Sequence, residues 1–179
     1  MSFVEDTKSH QIKVRRNIAS FIEQLTKRSL LHDESKLASP EKELLEKFSK
    51  DIKHLVYGSE EYAKSLEEQR PALEHHYANN SHHPEHYGSL ECNVCFKLFP
   101  MGYSKNCNVC GCGQFTQRPD IGKMTLVDLM EMLADWKAAS ERVRDGSMER
   151  SLQVGKSRFN ISGQLMSVLE NTARAEGWL

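Results

Sequence analysis

Long apolar runs are missing from this 179-residue chain, and so is an excess of charge, with 24 Lys+Arg against 25 Asp+Glu. No stretch approaches the roughly 18–20 apolar residues that cross a bilayer, which excludes a membrane-spanning role. Residues 1–25 alternate charged with apolar positions, without a continuous apolar core or a small-residue cleavage site, so a cytoplasmic protein is expected. The balanced charge excludes an extended polyanion-binding surface and an acidic disordered tail. Long-period repeats and low-complexity tracts are absent too, and the length suits one domain spanning residues 1–179. Cysteine is lacking outside residues 92–112, and His10 is the only histidine outside residues 32–86. Such crowding indicates metal sites more than a compositional bias.

What is present is mostly helical periodicity. Ile12, Ile18, Phe21, Ile22 and Leu25 recur at three- and four-residue spacings and predict an amphipathic helix over 8–28. Ser39-Pro40 supplies an N-cap and a first-turn proline for a second helix, with a stripe through Leu44, Leu45, Phe48, Ile52, Leu55 and Val56. Tyr57-Gly58-Ser59 ends it and caps a third, through Tyr62, Leu66 and Leu73, which Pro71 should break or kink. Residues 79–88 are turn-rich. Thr125 caps a helix bearing Leu126, Leu129, Met130, Leu133, Trp136 and Val143, with Asp128 where a capping-box acid belongs. A last helix carries Ile161, Leu165, Val168 and Leu169. The expected fold class is all-α, a helical bundle with a small module inserted at 91–119.

That module contains Cys92-x2-Cys95 and Cys107-x2-Cys110, with eleven residues between the pairs. In a reducing compartment such pairs are thiolate metal ligands, and four sulfurs on a short hairpin suit tetrahedral structural zinc. Cys112 either replaces Cys110 as the fourth ligand or stands free beside the site. Lys97, Lys105 and Arg118 against Glu91 give only a small cationic excess, so a structural clip is favoured over a nucleic-acid contact.

A second set of chemistry-bearing residues is dispersed. His32-Asp33 follows a helix that carries His10, and Asp135 lies inside the most apolar helix, where a carboxylate needs a partner such as a metal. The order His10, His32-Asp33, Asp135 resembles the H…HD…D pattern of the HD-domain metal-dependent phosphohydrolases, over about residues 8–144. His32-Asp33-Glu34-Ser35-Lys36 and Asn80-Ser81-His82-His83-Pro84-Glu85 are further similar to the HD-x-SK and N-x-HHPE motifs of a group of phage-encoded HD-like proteins. The GYP sequence of the cyclic-dinucleotide branch is missing; Glu85-His86-Tyr87-Gly88 is only a loose echo.

The resemblance implies an HD-like bundle in which His10, His32, Asp33 and Asp135 hold one divalent metal. His76 and one of His82 or His83 serve a second. A mixed His/Asp set suits Mn, Fe, Co, Ni or Zn. Lys36 would compensate phosphate charge, Glu34 is a general acid or base beside the metal or a solvated turn acid, and Asp33 bridges the metals. Arg15, Arg16, Arg142 and Arg144 are candidate phosphate contacts, with Asn80 and His82 available to orient substrate. The implied activity is hydrolysis of a nucleotide, a nucleoside mono- or triphosphate first, by metal-activated water. The alternative is a non-catalytic, zinc-containing adaptor of phage origin contacting nucleic acid or a host protein. A small phosphorylated partner is favoured over nucleic acid, no membrane partner is expected, a homo-oligomer is allowed, and a phage product would act in the host cytoplasm.

Overall fold

A computed structural model describes residues 2–51, 60–100, 103, 105–142 and 146–179. Ile52, Leu55, Val56, the Tyr57-Gly58-Ser59 cap, Val143 and Arg144 lie outside the described residues. The protein is mostly helical, with six helices and one small antiparallel sheet among the described residues. It divides into two compact units, Met1–His32 and Asp33–Leu179.

The first unit is one helix, α1 (Phe3–Leu31), longer at both ends than the apolar periodicity suggests. Its start is fixed by a capping box. The Ser2 hydroxyl accepts from the Glu5 amide, and the Glu5 carboxylate accepts from the Ser2 amide at 2.7 Å. None of its residues is buried, and Ile12, Ile18, Phe21 and Ile22 are each more than half exposed.

The second unit begins with a 3-10 turn, Glu34–Leu37, followed by α2 (Glu41–Asp51) and α3 (Glu60–Asn79). Helix α2 starts one residue after Pro40, which therefore stands ahead of the first turn, a shift within the usual spread of helix boundaries. The expected break at Pro71 does not occur: α3 runs through it. A proline removes one backbone donor, and Pro71 is exposed, so water can serve the carbonyl that loses its partner.

After the 3-10 turn Pro84–Tyr87, strands β1 (Ser89–Cys92), β2 (Leu98–Pro100) and β3 (Phe115–Arg118) form a sheet in the order β2-β1-β3. Leu90 pairs with Phe99 on one side and Gln117 on the other. Two more residues than expected, Ser89 and Leu90, thus belong to the inserted module.

The main core lies among α4 (Leu126–Glu141), α5 (Met148–Arg158) and α6 (Gly163–Ala175), where Met132, Leu133, Leu152, Phe159, Met166 and Leu169 are buried. The buried face of α4 differs from the stripe read from sequence. Val127, Leu129, Met132 and Leu133 point inward while Leu126 and Met130 are exposed, because the side that packs on α5 and α6 runs through Leu129, Met132, Leu133 and Trp136. Helix α5 has no counterpart in the sequence reading. Its inward positions are Met148, Leu152 and Gly155, and a glycine contributes nothing to an apolar pattern. That glycine is nonetheless required, since a Cβ there would sit 2.2 Å from the Trp136 ring. Ile161 precedes the Ser162 cap of α6, and Val168 is exposed where Met166 and Ala173 are buried.

Candidate metal centres

Asp33 has a left-handed backbone (φ 59°, ψ 14°), uncommon for a residue with a side chain, and leads into the turn Glu34–Leu37. Lys36, expected as a phosphate contact, closes that turn and ion-pairs with Asp33 Oδ2. The other oxygen, Oδ1, lies 3.3 Å from His76 Nε2 and 3.6 Å from His82 Nε2. His83 Nε2 is 2.9 Å from His76 Nε2. Asp33, His76, His82 and His83 can hold a metal ion, each offering one ligand atom within 4.8 Å of the others. Ligands about 2.1 Å from one tetrahedral ion sit roughly 3.4 Å apart, so these spacings fit a shared cation.

The histidines are aimed by carboxylates on their far sides. His76 is buried in the last turn of α3, with Nδ1 2.9 Å from Glu41 Oε2 at the start of α2. His82 is buried too, with Nδ1 3.2 Å from Glu131 Oε1 on α4. A carboxylate that accepts the Nδ1 proton fixes the tautomer and leaves the Nε2 lone pair facing the centre. Glu41 is fully buried, and it also accepts from the Ser35 hydroxyl at 3.0 Å and meets His75 Nδ1 at 2.7 Å. Asn80, expected to orient substrate, instead donates to Ser35 Oγ and to the His76 carbonyl, both at 2.8 Å. Burial and the imidazoles of His82 and His76 push His83 down to about 2, against the upward pull of Asp33. It is therefore neutral at ordinary pH, the form that ligates.

Asp128 ties the histidine loop to α4. It accepts from Ser81 Oγ at 2.7 Å, Tyr87 Oη at 2.9 Å and Thr125 Oγ1 at 2.6 Å. Burial raises its carboxyl, but these donors outweigh it and hold the group down at about 2. Asp135, one turn beyond Glu131, places an oxygen within 4.8 Å of a His82 ring nitrogen. Glu34 is exposed at the head of its turn and Arg142 is exposed at the C-cap of α4. His10, Arg15, Arg16 and His32 belong to the first unit. There His10, Arg15 and Arg16 are exposed along α1, and His32 is its half-buried C-cap.

Sequence reasoning missed Glu41 and Glu131 as partners of the histidines. An acid in the first turn of a helix reads as a dipole-stabilising residue, and Glu131 is flanked by methionines with no motif around it. The available signal was His76 and His82 themselves, since buried imidazoles that ligate need a second acceptor.

The second centre is local. Cys92 Sγ lies 3.4 Å from Cys110 Sγ, and Cys95 Sγ 3.4 Å from Cys107 Sγ. All four sulfurs fall within 4.8 Å of one another and can hold a metal ion. Both ligand turns read Cys-Asn-Val-Cys, and each closes with an amide donated to the first cysteine's carbonyl, from Phe96 and from Gly111, at 2.9 Å. Both closing residues have positive φ, 58° at Phe96 and 74° at Gly111. Glycine takes that conformation freely, while Phe96 takes it under constraint from the turn. Amides of Cys95 and Val94 draw the Cys92 thiol down to about 6. The Cys112 amide lowers Cys110 as well, but burial and the neighbouring sulfurs outweigh it and push that thiol up to about 12. Cys112 is outside the four-sulfur set; its sulfur accepts from the Gln114 amide at 3.2 Å.

A family model described as "Family of unknown function (DUF5662)" matches residues 1–175. The chain belongs to the DUF5662 family. Neither a curated protein nor a solved structure matches it. In this DUF5662 chain the described residues offer two separate donor sets, one all sulfur and one imidazole with carboxylate. No described helix is long and apolar enough to cross a membrane.

Proposed function

We propose that this DUF5662 chain is a metal-dependent phosphohydrolase acting on nucleotides, with an HD-like helical domain and a structural zinc in the cysteine module. One observation carries the reading: three Nε2 atoms and an Asp33 oxygen converge, and two of those imidazoles are braced through Nδ1 by the carboxylates of Glu41 and Glu131. A site meant only to bury polar groups has no need of imidazoles aimed at a shared point. The hard and intermediate donors suit Mn, Fe, Co, Ni or Zn, whereas four thiolates favour zinc. A divalent cation bound among the imidazoles supplies Lewis acidity toward a phosphoryl oxygen and toward water. In the net reaction water adds to phosphorus and the ester P–O bond breaks. Phosphate leaves, and the departing oxygen gains a proton. Asp33 is held for this role by Lys36 on one oxygen, and His76 by Glu41 at Nδ1 and by Asn80, which donates to its backbone carbonyl.

An adaptor role is favoured by one feature. Val94, Phe96, Leu98 and Val109 are exposed on the cysteine module, an apolar surface of the kind that contacts another protein. A single panel separates the readings. Protein loaded with Mn, Co or Fe is offered nucleoside mono-, di- and triphosphates and cyclic dinucleotides, and the products are separated chromatographically. Turnover that disappears in His76→Ala is expected; an inert protein across the whole panel overturns the enzymatic reading and leaves the adaptor.

A further inference from the structure

Helices α4 and α5 flank an open cleft of about 640 Å³, walled also by Tyr77 and Glu85, inside the range of roughly 300–1,000 Å³ typical of small-molecule sites. His83 and Asp135 form part of its wall, so a ligand there reaches the edge of the imidazole centre. Trp136 forms another part. Its ring is stacked on Phe159 at 13° and 6.1 Å and seated against Gly155, giving a rigid, flat apolar surface of the kind on which a base stacks.

The two arginines of the wall are in different states. Arg158 donates through Nη2 to Glu85 Oε1 at 2.6 Å and to Tyr77 Oη at 3.4 Å, and its guanidinium lies 5.0 Å from the Phe159 ring centroid. Its charge is matched by Glu85. The guanidinium of Arg150 has no hydrogen-bond or ion-pair partner among the described residues, and it lines the cavity beside Ser147 and Ser151 in the first turn of α5.

We infer that this cavity binds a nucleoside monophosphate, with the phosphate between the imidazole centre and Arg150 and the base on Trp136. The placement of the phosphate rests on the phosphohydrolase reading; the binding itself does not. One uncommitted guanidinium suits a monoester dianion, whereas a triphosphate would bring more charge than this wall neutralises.

Calorimetric titration of the full chain with nucleoside monophosphates of each base tests the inference, alongside the parent nucleosides and inorganic phosphate. At least one monophosphate should bind saturably and more tightly than its nucleoside. Arg150→Ala should weaken it about tenfold, with part of the loss recovered by Arg150→Lys. In Trp178→Phe, which leaves Trp136 as the only tryptophan, the same ligand should quench the emission. Absence of binding by every monophosphate, or unchanged affinity in Arg150→Ala, overturns the inference. Metal content and turnover of p-nitrophenyl phosphate by the unsubstituted protein report on the phosphohydrolase reading separately. If those are intact while no monophosphate binds, only the pocket assignment falls.

Discussion

The cysteine centre takes all its donors from residues 92–110 of one small sheet and its turns, while the imidazole centre gathers Asp33, His76, His82 and His83 from a turn, a helix end and a loop. It is braced further by Glu41 of α2 and Glu131 of α4. A local centre can fold around its ion with little help, because the ligand turns fix their own geometry. A dispersed centre is set by the packing of several helices, and its donors are nearly in place before any ion arrives. A metal at the first would supply its fold; a metal at the second would depend on a fold already formed.

The largest effect should come from removing a buried sulfur. Cys107→Ser, or chelation, should abolish order in β1–β3, since structural zinc contributes about 10–16 kcal/mol in small modules. Hydrogen exchange would show protection lost there and kept in α4–α6. Loss of protection throughout would mean that the two regions are not independent. Next, Met132→Ala, a truncation at a nearly fully buried core site, should lower global stability by about 2–5 kcal/mol in denaturant titration while the sheet keeps its zinc. An unchanged midpoint would show that α4 is not held as described.

Glu41→Gln then tests the bracing itself. Metal affinity of the imidazole centre should fall about 10–100-fold by chelator competition, with the cysteine centre unaffected. Equal affinity would remove the outer carboxylates from the account.

How much of this was legible follows the same division. The cysteine ligands could be read because the geometry is written in a spacing of three residues, twice. Asp33, His76 and His83 were legible through motifs. His82 was expected either as the alternative to His83 at the metal or at the substrate, and its burial is decided by the loop that Asp128 anchors. Glu41 and Glu131 were not legible, since their partners lie 35 residues later and 49 residues earlier in the chain, respectively, and no local pattern marks them. The helical class was evident from periodicity, but the inward face of α4 depended on its packing against α5 and α6, and α5 was hidden by Gly155. The capping role of Asp128 was visible in the spacing from Thr125.

Asp128 gives a smaller, pH-dependent effect. Its folded carboxyl sits at about 2, below the ordinary value near 4, so its stabilisation is full above pH 4 and is lost as the pH falls through 2. Asp128→Asn should remove roughly 2 kcal/mol at neutral pH and less in acid, read from urea midpoints across that range. A pH-independent loss would assign the effect to packing. The smallest change is expected at the sheet edge, where Glu91→Gln breaks the exposed pair with Arg118 and should cost under about 1 kcal/mol without loss of zinc. Thermal denaturation followed at the sheet would measure it, and a large loss would show that this region leans on more than its metal.

The most direct measurement is metal content per chain in the unsubstituted protein and in the His76→Ala/His82→Ala double variant, with circular dichroism verifying the fold. The account predicts more than one metal ion in the former. It predicts loss of the imidazole-bound ion in the latter, with the cysteine-bound zinc retained. Equal metal content in the two proteins would contradict it.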